Sequence, residues 1–121
     1  MTMSDAQALA EEGIVARDLT AFQFNILITL TREPMYGLAI KRDLEAYYGD
    51  EVNHGRLYPN LDELVDAGLI TKSELDKRTN QYALSDAGYD AVVGQLEWVF
   101  SNFVTSADRA DELADLIDSY V

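Results

Sequence analysis

The chain has 121 residues, 22 acidic side chains against nine basic ones, and a formal net charge of -13. It contains no cysteine, which excludes disulfides, thiolate nucleophiles and thiol-based redox sensing, and no apolar run is long enough to span a membrane. We therefore expect a cytoplasmic protein with no membrane partner, built as one small domain with extensions and more stable as an oligomer.

The first 18 residues are predicted to form an N-terminal helical extension. Between Ser4 and Arg17 the apolar residues, among them Leu9 and Ile14, recur at helical spacing. Such a stripe needs a partner surface. We expect the extension of residues 1–18 to join an interface between subunits, with Leu9 in contact with the partner.

Two helices are predicted between Thr20 and Gly49. Thr20 and Gln23 match a capping box, in which each side chain binds a free backbone N–H of the other residue, and the helix that they open ends before Pro34. A second amphipathic helix covers Gly37 to Tyr48, and Gly49 follows it as a stop signal.

The third helix is marked at both ends. Asn53 is a good N-cap, and Gly68 suits the left-handed position just after a helix. Between them leucines recur every three or four residues, which predicts one buried face. Pro59 lies inside this pattern but close to its start, so the helix begins either at Asn53 or nearer Leu57.

The opposite face of the third helix carries polar side chains that suit base edges. Asn53, Arg56 and Asn60 lie on it at helical spacing. Arginine can hold guanine with two hydrogen bonds, and asparagine can do the same with adenine. His54 and Tyr58 lie one row away and can hold phosphates, so this helix is expected to enter a DNA groove, although an ordinary solvated face remains the alternative.

A charged hairpin follows directly. Two strand-like runs, Leu69 to Leu75 and Asn80 to Leu84, enclose a polar turn. Lys77 and Arg78 lie at its tip, where positive charge can reach phosphates or the minor groove, or simply be solvated. The helices and hairpin together predict a mainly α (α+β) fold, with a winged helix-turn-helix DNA-binding domain over residues 19–85 and a two-stranded wing.

Residues 86–121 are predicted to be a C-terminal helical dimerisation region built on one long helix. The winged domain offers too little surface to bury their apolar stripe, and such a stripe most often packs on its copy in a second subunit. The predicted dimer contacts are Val92, Leu96, Val99, Phe100, Phe103, Leu113 and Ile117. A capping signal over Thr105 to Asp108 leaves open whether the helix continues through residue 105. Two alternatives are a stripe folded back on its own domain and a small ligand held near Trp98.

Three segments resemble the PadR-type winged-helix transcription regulators. They are Pro34 to Ile40, Gly55 to Leu61 and Ala67 to Ile70, within a match over roughly residues 19–88. The resemblance implies a sequence-specific transcriptional regulator that dimerises through its C-terminal helices. Similarity to one regulator of this kind, which acts in the oxidative-stress response, implies a role in that response. The wing departs from the family pattern because it is short and lacks the usual Gly-Arg-Pro-like turn.

The predicted partner is duplex promoter DNA with a palindromic site, bound by two copies of the third helix in successive major grooves. The expected DNA contacts are Tyr36, Lys41, Asn53, His54, Arg56, Tyr58, Asn60, Lys72, Lys77 and Arg78. With one histidine, no cysteine and no glycine-rich phosphate loop, the chain is not expected to be an enzyme or to hold a cofactor or metal ion. The alternative function is a winged-helix protein-interaction module that does not touch DNA, since a fold does not fix a function.

The net charge opposes DNA binding unless the protein works in concentrated salt. Seven of the nine cations lie in residues 32–78, only three are lysine, and aspartate outnumbers glutamate, a balance typical of proteins in molar salt. At about 1 M salt the screening length is about 3 Å. We therefore predict that salt cations join the DNA interface, so that affinity is retained or rises with salt, whereas ordinary counterion release would weaken it.

Overall fold

The computed structural model describes residues 18–76 and 79–121. These ranges form five helices and three strands. The helices are α1 (Ala21–Thr29), α2 (Gly37–Tyr48), α3 (His54–Asp66), α4 (Asp86–Phe103) and α5 (Ala107–Asp118), and the strands are β1 (Met35–Tyr36), β2 (Ile70–Asp76) and β3 (Thr79–Leu84). The predicted N-terminal extension with Leu9, and the wing-tip residues Lys77 and Arg78, lie outside the described residues.

The starts of α1 and α3 follow the capping signals of the sequence. Gln23 donates its backbone N–H to Thr20 Oγ1 at 3.1 Å, and Thr20 donates its own to Gln23 Oε1 at 3.2 Å, so the predicted capping box is confirmed. At α3 the Asn53 side chain accepts a hydrogen bond of 2.9 Å from the Arg56 N–H. The helix therefore begins directly after Asn53, and Pro59 is accommodated within its first half.

The predicted stop at Gly68 is also confirmed. Gly68 has a φ of 77°, in the left-handed region that favours glycine. Its N–H donates to the Val65 carbonyl, and the Leu69 N–H donates to the Leu64 carbonyl, both at 3.0 Å. This paired arrangement satisfies two carbonyl groups at the end of α3 and turns the chain into β2.

The predicted two-stranded wing, β2 and β3, is present and belongs to a three-stranded antiparallel sheet in the order β1-β3-β2. Met35 pairs with Tyr82 and Tyr36 with Gln81, which joins the segment before α2 to the wing. A strand of two residues is too short to show an alternating pattern, which is why the sequence did not indicate it. The extra strand fixes the start of α2 against the wing.

The core combines α1, α2, α3, the sheet and the first turns of α4. Val92, which was assigned to the dimer interface, is only 4% exposed and packs in this core. The reason is geometric, since Val92 begins the same helical stripe as the later apolar residues of α4 but lies where the helix crosses its own domain. The fold-back alternative therefore holds for the first half of α4.

The C-terminal region is two helices and not one long helix. α4 ends at Phe103, and Ser106 caps α5 by accepting a hydrogen bond of 3.2 Å from the Arg109 N–H. The capping signal read from the sequence thus marks a real break. None of the described helices combines the length and apolar character needed to cross a membrane.

Candidate nucleic-acid interface

The exposed face of α3 has a narrow stripe with little side-chain bulk near the N-terminus, which we call the low stripe. Larger side chains border it on both sides. Gly55, Pro59, Asp62 and Asp66 lie along this stripe and are all exposed, with Glu63 beside it. The stripe has no bulky side chain in its N-terminal half and is acidic in its C-terminal half. The N-terminal half can therefore approach another surface closely, with Arg56 on one flank and His54 and Tyr58 on the other.

Arg56 is exposed but held against α1. Its guanidinium carbon lies 3.9 Å from the centre of the Phe22 ring and 5.8 Å from that of Tyr48. A guanidinium over an aromatic face is stabilised by the ring quadrupole while its N–H edges remain free to donate. The predicted base-reading residue thus has a defined position at the edge of α3.

Asn60, which was predicted to contact bases together with Asn53 and Arg56, is half-buried. Its Oδ1 accepts a hydrogen bond of 3.2 Å from Gln23 Nε2, and its Nδ2 donates to the Arg56 carbonyl at 2.8 Å. Gln23 is buried, so this contact ties the capping box of α1 to α3. Asn60 is therefore engaged within the protein at both ends of its amide, and its base contact stays a prediction.

The other flank of α3 is aromatic. The rings of His54 and Tyr58 stack with centres 5.4 Å apart and planes inclined by 13°. The Tyr58 hydroxyl lies so close to Gly37 that a Cβ built on that glycine would be 2.7 Å from it. Glycine at the first position of α2 thus allows α3 to bring its aromatic flank against the start of α2.

An open cleft of about 650 Å³ lies between the start of α2, the start of α3 and β3, and we call it the α2–α3–wing cleft. It is lined by Tyr36, Gly37, Leu38, Ala39, Arg42, His54, Tyr58, Thr79, Asn80 and Tyr82. Three of these, Tyr36, His54 and Tyr58, were predicted DNA contacts. Arg42 was missed, although it follows Leu38 by four residues and therefore shares the helix face that opens on the cleft.

Lys41, a predicted DNA contact next to Arg42 in the sequence, is largely covered by the protein. Its Nζ lies 2.9 Å from Glu45 Oε2, and its side chain is only 15% exposed. The same carboxylate accepts a hydrogen bond of 2.9 Å from the Val52 N–H. Lys41 is therefore part of the link from α2 to α3 through Glu45, and its DNA contact stays a prediction.

These contacts lower the pKa of Glu45, the hydrogen bond from Val52 more than the one from Lys41. A lowered pKa in the folded state favours the ionised form, so the contact contributes stability above the ordinary pKa of glutamate. That contribution is lost as the pH falls through the folded-state pKa.

Tyr82 forms the buried floor of the cleft. It is 1% exposed, and burial raises its pKa, with smaller contributions from Asp62 and Tyr58. Its hydroxyl therefore stays neutral and able to donate a hydrogen bond at ordinary pH. On β2, Lys72 pairs in register with Tyr82 and is exposed, and Asn53 is exposed at the α3 cap.

A second surface follows from the free half of α4. Beyond the core the stripe continues through Leu96, Val99, Phe100 and Phe103, whose exposed fractions are 36%, 40%, 37% and 39%. We call these four residues the free stripe. On α5, Ile117 is exposed and Leu113 is half-buried. Single apolar residues scattered over a protein surface are normal. Four exposed apolar side chains on one helix face indicate a surface that another molecule covers.

Comparisons with known proteins agree with this architecture. Residues 26–93 match the model of the transcriptional regulator PadR-like family. The structure of RosR from Halobacterium salinarum grown from NaBr superposes with a TM-score of 0.83 at 64% identity, covering 86% of this chain and 94% of RosR. The predicted winged-helix fold class is confirmed by this match.

Two further relatives are more distant. The transcriptional activator GvpE2 of Halobacterium salinarum is 40% identical over 76 residues, 59% of this chain and 38% of GvpE2, so the chain spans about two fifths of that relative. Bacillus subtilis PadR, in a crystal structure with operator DNA, is 24% identical with a TM-score of 0.54, covering 63% of this chain and 46% of PadR. At that identity the likeness shows the fold alone.

Proposed function

This chain belongs to the PadR-like family of transcriptional regulators, and from that premise we propose that it acts by binding promoter DNA as a homodimer. Family membership places it among regulators and not among enzymes, as the sequence predicted. The observation that carries the proposal is the N-terminal half of α3, where the low stripe at Gly55 and Pro59 lies between Arg56 and the His54–Tyr58 flank. Helix-turn-helix proteins place the first residues of this helix against base edges.

The second part of the proposal is the dimer. The free stripe begins where α4 leaves its own domain, so a second copy of α4 can cover it without disturbing the core. We propose that residues 86–121 form this dimerisation region, with Leu113 and Ile117 of α5 at its edge. Two copies then present two α3 helices to one palindromic site. The cytoplasmic location and the role in the oxidative-stress response stay predictions.

Arg56→Ala should weaken binding to the recognised site. Because arginine holds guanine through two hydrogen bonds, its loss is expected to cost about 1–3 kcal/mol of discrimination at one base pair of each half-site. A duplex selected from a random pool, measured by gel shift against a scrambled duplex, gives the discrimination directly. Arg32→Ala is the matched control, since Arg32 is also exposed and pairs with Asp43 at 2.8 Å.

If Arg56→Ala discriminates as well as the parent, Arg56 does not read bases. A parent protein that binds no duplex at any salt concentration contradicts the proposed function itself and favours the protein-interaction module.

We propose further that salt cations join the DNA interface at the acidic end of α3. Asp62, Glu63 and Asp66 are exposed on the same helix that approaches DNA, so their charges face phosphates across the interface. At about 1 M salt, screening extends over about 3 Å, and cations taken up between carboxylates and phosphates offset the remaining repulsion. Binding then couples to cation uptake, which opposes the ordinary release of counterions from DNA.

Affinity for the selected duplex is therefore expected to hold or rise from low salt to molar KCl. Neutralising Asp62 and Glu63 together, as Asp62→Asn with Glu63→Gln, should tighten binding at low salt and make the slope of log K against log [KCl] more negative by about two. Asp108→Asn with Glu112→Gln makes the same charge change on α5 and should follow the parent. A parent affinity that falls steeply with KCl would contradict cation uptake.

A further inference from the structure

The side chain of Arg56 is exposed, yet contacts within the protein hold it in place. Its guanidinium carbon lies 3.9 Å from the centre of the Phe22 ring, a distance at which the cation covers the ring face. Among the described residues, this guanidinium makes no ion pair and no hydrogen bond. Arg32, in contrast, is paired with a carboxylate, and Arg109 donates to the Phe103 carbonyl. Arg56 is therefore held by an aromatic face while its N–H groups stay available to a ligand.

Two stacked rings form the surface under Arg56, and we call Phe22 and Tyr48 the aromatic platform. Their centres are 6.2 Å apart with planes inclined by 21°, and the Tyr48 ring centre lies 5.8 Å from the guanidinium carbon. Phe22 is fixed because it is buried in the core. The Tyr48 hydroxyl accepts a hydrogen bond of 2.9 Å from Asn25 Nδ2. The platform is thus built by α1 and α2, and Arg56 reaches it from α3.

A guanidinium that is already in place loses less freedom when it binds. Ordering a long side chain at an interface costs free energy, and arginine has one of the most flexible stems. The contact with the platform restricts Arg56 before any ligand arrives. It is also a short-range contact, which persists in molar salt, where attraction to charges beyond about 3 Å is screened. The platform therefore suits the positioning of a group that forms directional hydrogen bonds.

We propose that the aromatic platform sets sequence specificity by holding the Arg56 guanidinium in the orientation that reads a base. Phe22 and Tyr48 are then positioning residues, which act on DNA through Arg56. The inference rests on the proposed function, in which α3 enters a DNA groove and Arg56 holds guanine. It adds that base discrimination depends on α1 and α2 as well as on α3.

The first test compares binding of full-chain variants to a selected duplex and to duplexes with single base pairs changed. Arg56→Ala identifies the base pair that Arg56 reads. Phe22→Leu is expected to lower discrimination at that base pair by about twofold to tenfold for each half-site, the range for ordering one such side chain on binding. Binding to a scrambled duplex should stay unchanged, because the charge of Arg56 remains. A merely structural role of Phe22 predicts the opposite, an equal loss on all duplexes.

Combining the two substitutions tests whether Phe22 acts through Arg56. In the Arg56→Ala background, Phe22→Leu should cause no further loss of discrimination, because the side chain that it positions is absent. Phe24→Leu is the matched control, since it makes the same change at a half-buried ring of α1 that carries no arginine among the described residues. It should discriminate as the parent does. Chemical unfolding at the same KCl concentration measures how much of each variant is folded.

Tyr48 provides a test that leaves the core intact, because its ring is exposed. Tyr48→Leu should lower discrimination at the same base pair, but less than Phe22→Leu, since the Tyr48 ring is farther from the guanidinium. Tyr48→Phe keeps the stacked ring and should keep the discrimination of the parent. Tyr47→Leu removes the neighbouring exposed ring of α2 and should also follow the parent.

The results separate failure of the platform from failure of the proposed function. If Arg56→Ala loses discrimination but Phe22→Leu and Tyr48→Leu match the parent, the platform does not position Arg56, and base reading stands. If Tyr48→Phe loses as much as Tyr48→Leu, the ring face is not the cause and the platform is wrong. If Arg56→Ala discriminates as the parent does, the inference is wrong while DNA binding stands. A parent that binds no duplex overturns the proposed function, and with it the inference.

Discussion

Gly88→Ala is expected to destabilise the protein by about 3 kcal/mol, near the top of the range for overpacking a core. Gly88 lies in the first turn of α4, where that helix crosses the loop between α3 and β2. A Cβ built on it would lie 2.0 Å from the Leu69 carbonyl oxygen and 2.7 Å from Leu84 Cδ1. The carbonyl cannot easily retreat, because it accepts a hydrogen bond of 3.1 Å from the Ser85 N–H.

Gly94→Ala in the same helix is the matched control. A Cβ at Gly94 has no neighbour within 4 Å, so the change should stabilise the helix by about 0.5–1 kcal/mol. Chemical unfolding followed by circular dichroism, at constant protein and KCl concentrations, measures both variants. If Gly88→Ala is as stable as the parent, α4 does not cross its domain as closely as described. Contacts other than the one at Gly88 would then set the direction of the free stripe.

Features set by a few neighbouring residues were predictable from the sequence. The capping box at Thr20 and Gln23, the cap at Asn53, the stop at Gly68 and the break before α5 all satisfy backbone groups within five residues. These capping hydrogen bonds form between neighbouring residues, so they do not depend on contacts with distant parts of the chain. The order of α1, α2, α3, β2 and β3, and with it the winged-helix class, followed from these local signals.

Features set by distant contacts were not predictable. Val92 and Val99 belong to one helical stripe, and only the path of α4 across its own domain decides that the first is buried and the second exposed. Periodicity identifies a helix face but not what covers it. The strand Met35–Tyr36 likewise exists only because β3 lies beside it.

The candidate site shows the same division at single side chains. Asn60 has the right spacing for a base contact, but its amide oxygen accepts a hydrogen bond from the buried Gln23 of α1. Lys41 and Arg42 are adjacent cations, and the position of Glu45 decides that Lys41 is paired while Arg42 faces the cleft. Spacing therefore predicts which helix face is polar, and tertiary contacts decide which of its side chains are already engaged within the protein.

Val99→Asp is expected to convert the proposed dimer into a monomer and to weaken DNA binding by about 10²-fold to 10⁴-fold. Val99 lies in the middle of the free stripe, so a dimer would have to bury the new carboxylate in an apolar contact without a partner charge. In a dimer, binding of the first α3 holds the second α3 at a high effective concentration near its half-site. A monomer keeps its own α3 but loses this gain. Sedimentation and gel-shift measurements on the same samples in molar KCl give both quantities.

Ser101→Asp introduces the same charge two residues later, on the opposite side of α4, where the serine hydroxyl donates only to the Trp98 carbonyl. Both changes lie near the same end of the helix, so helix propensity and the helix dipole affect them alike. In molar KCl repulsion between like charges is screened beyond about 3 Å, so a difference between the two variants reports burial and not net charge. If Val99→Asp stays dimeric and Ser101→Asp does not, subunits meet through the other face of α4. If both stay dimeric and bind as the parent does, the free stripe is not the interface.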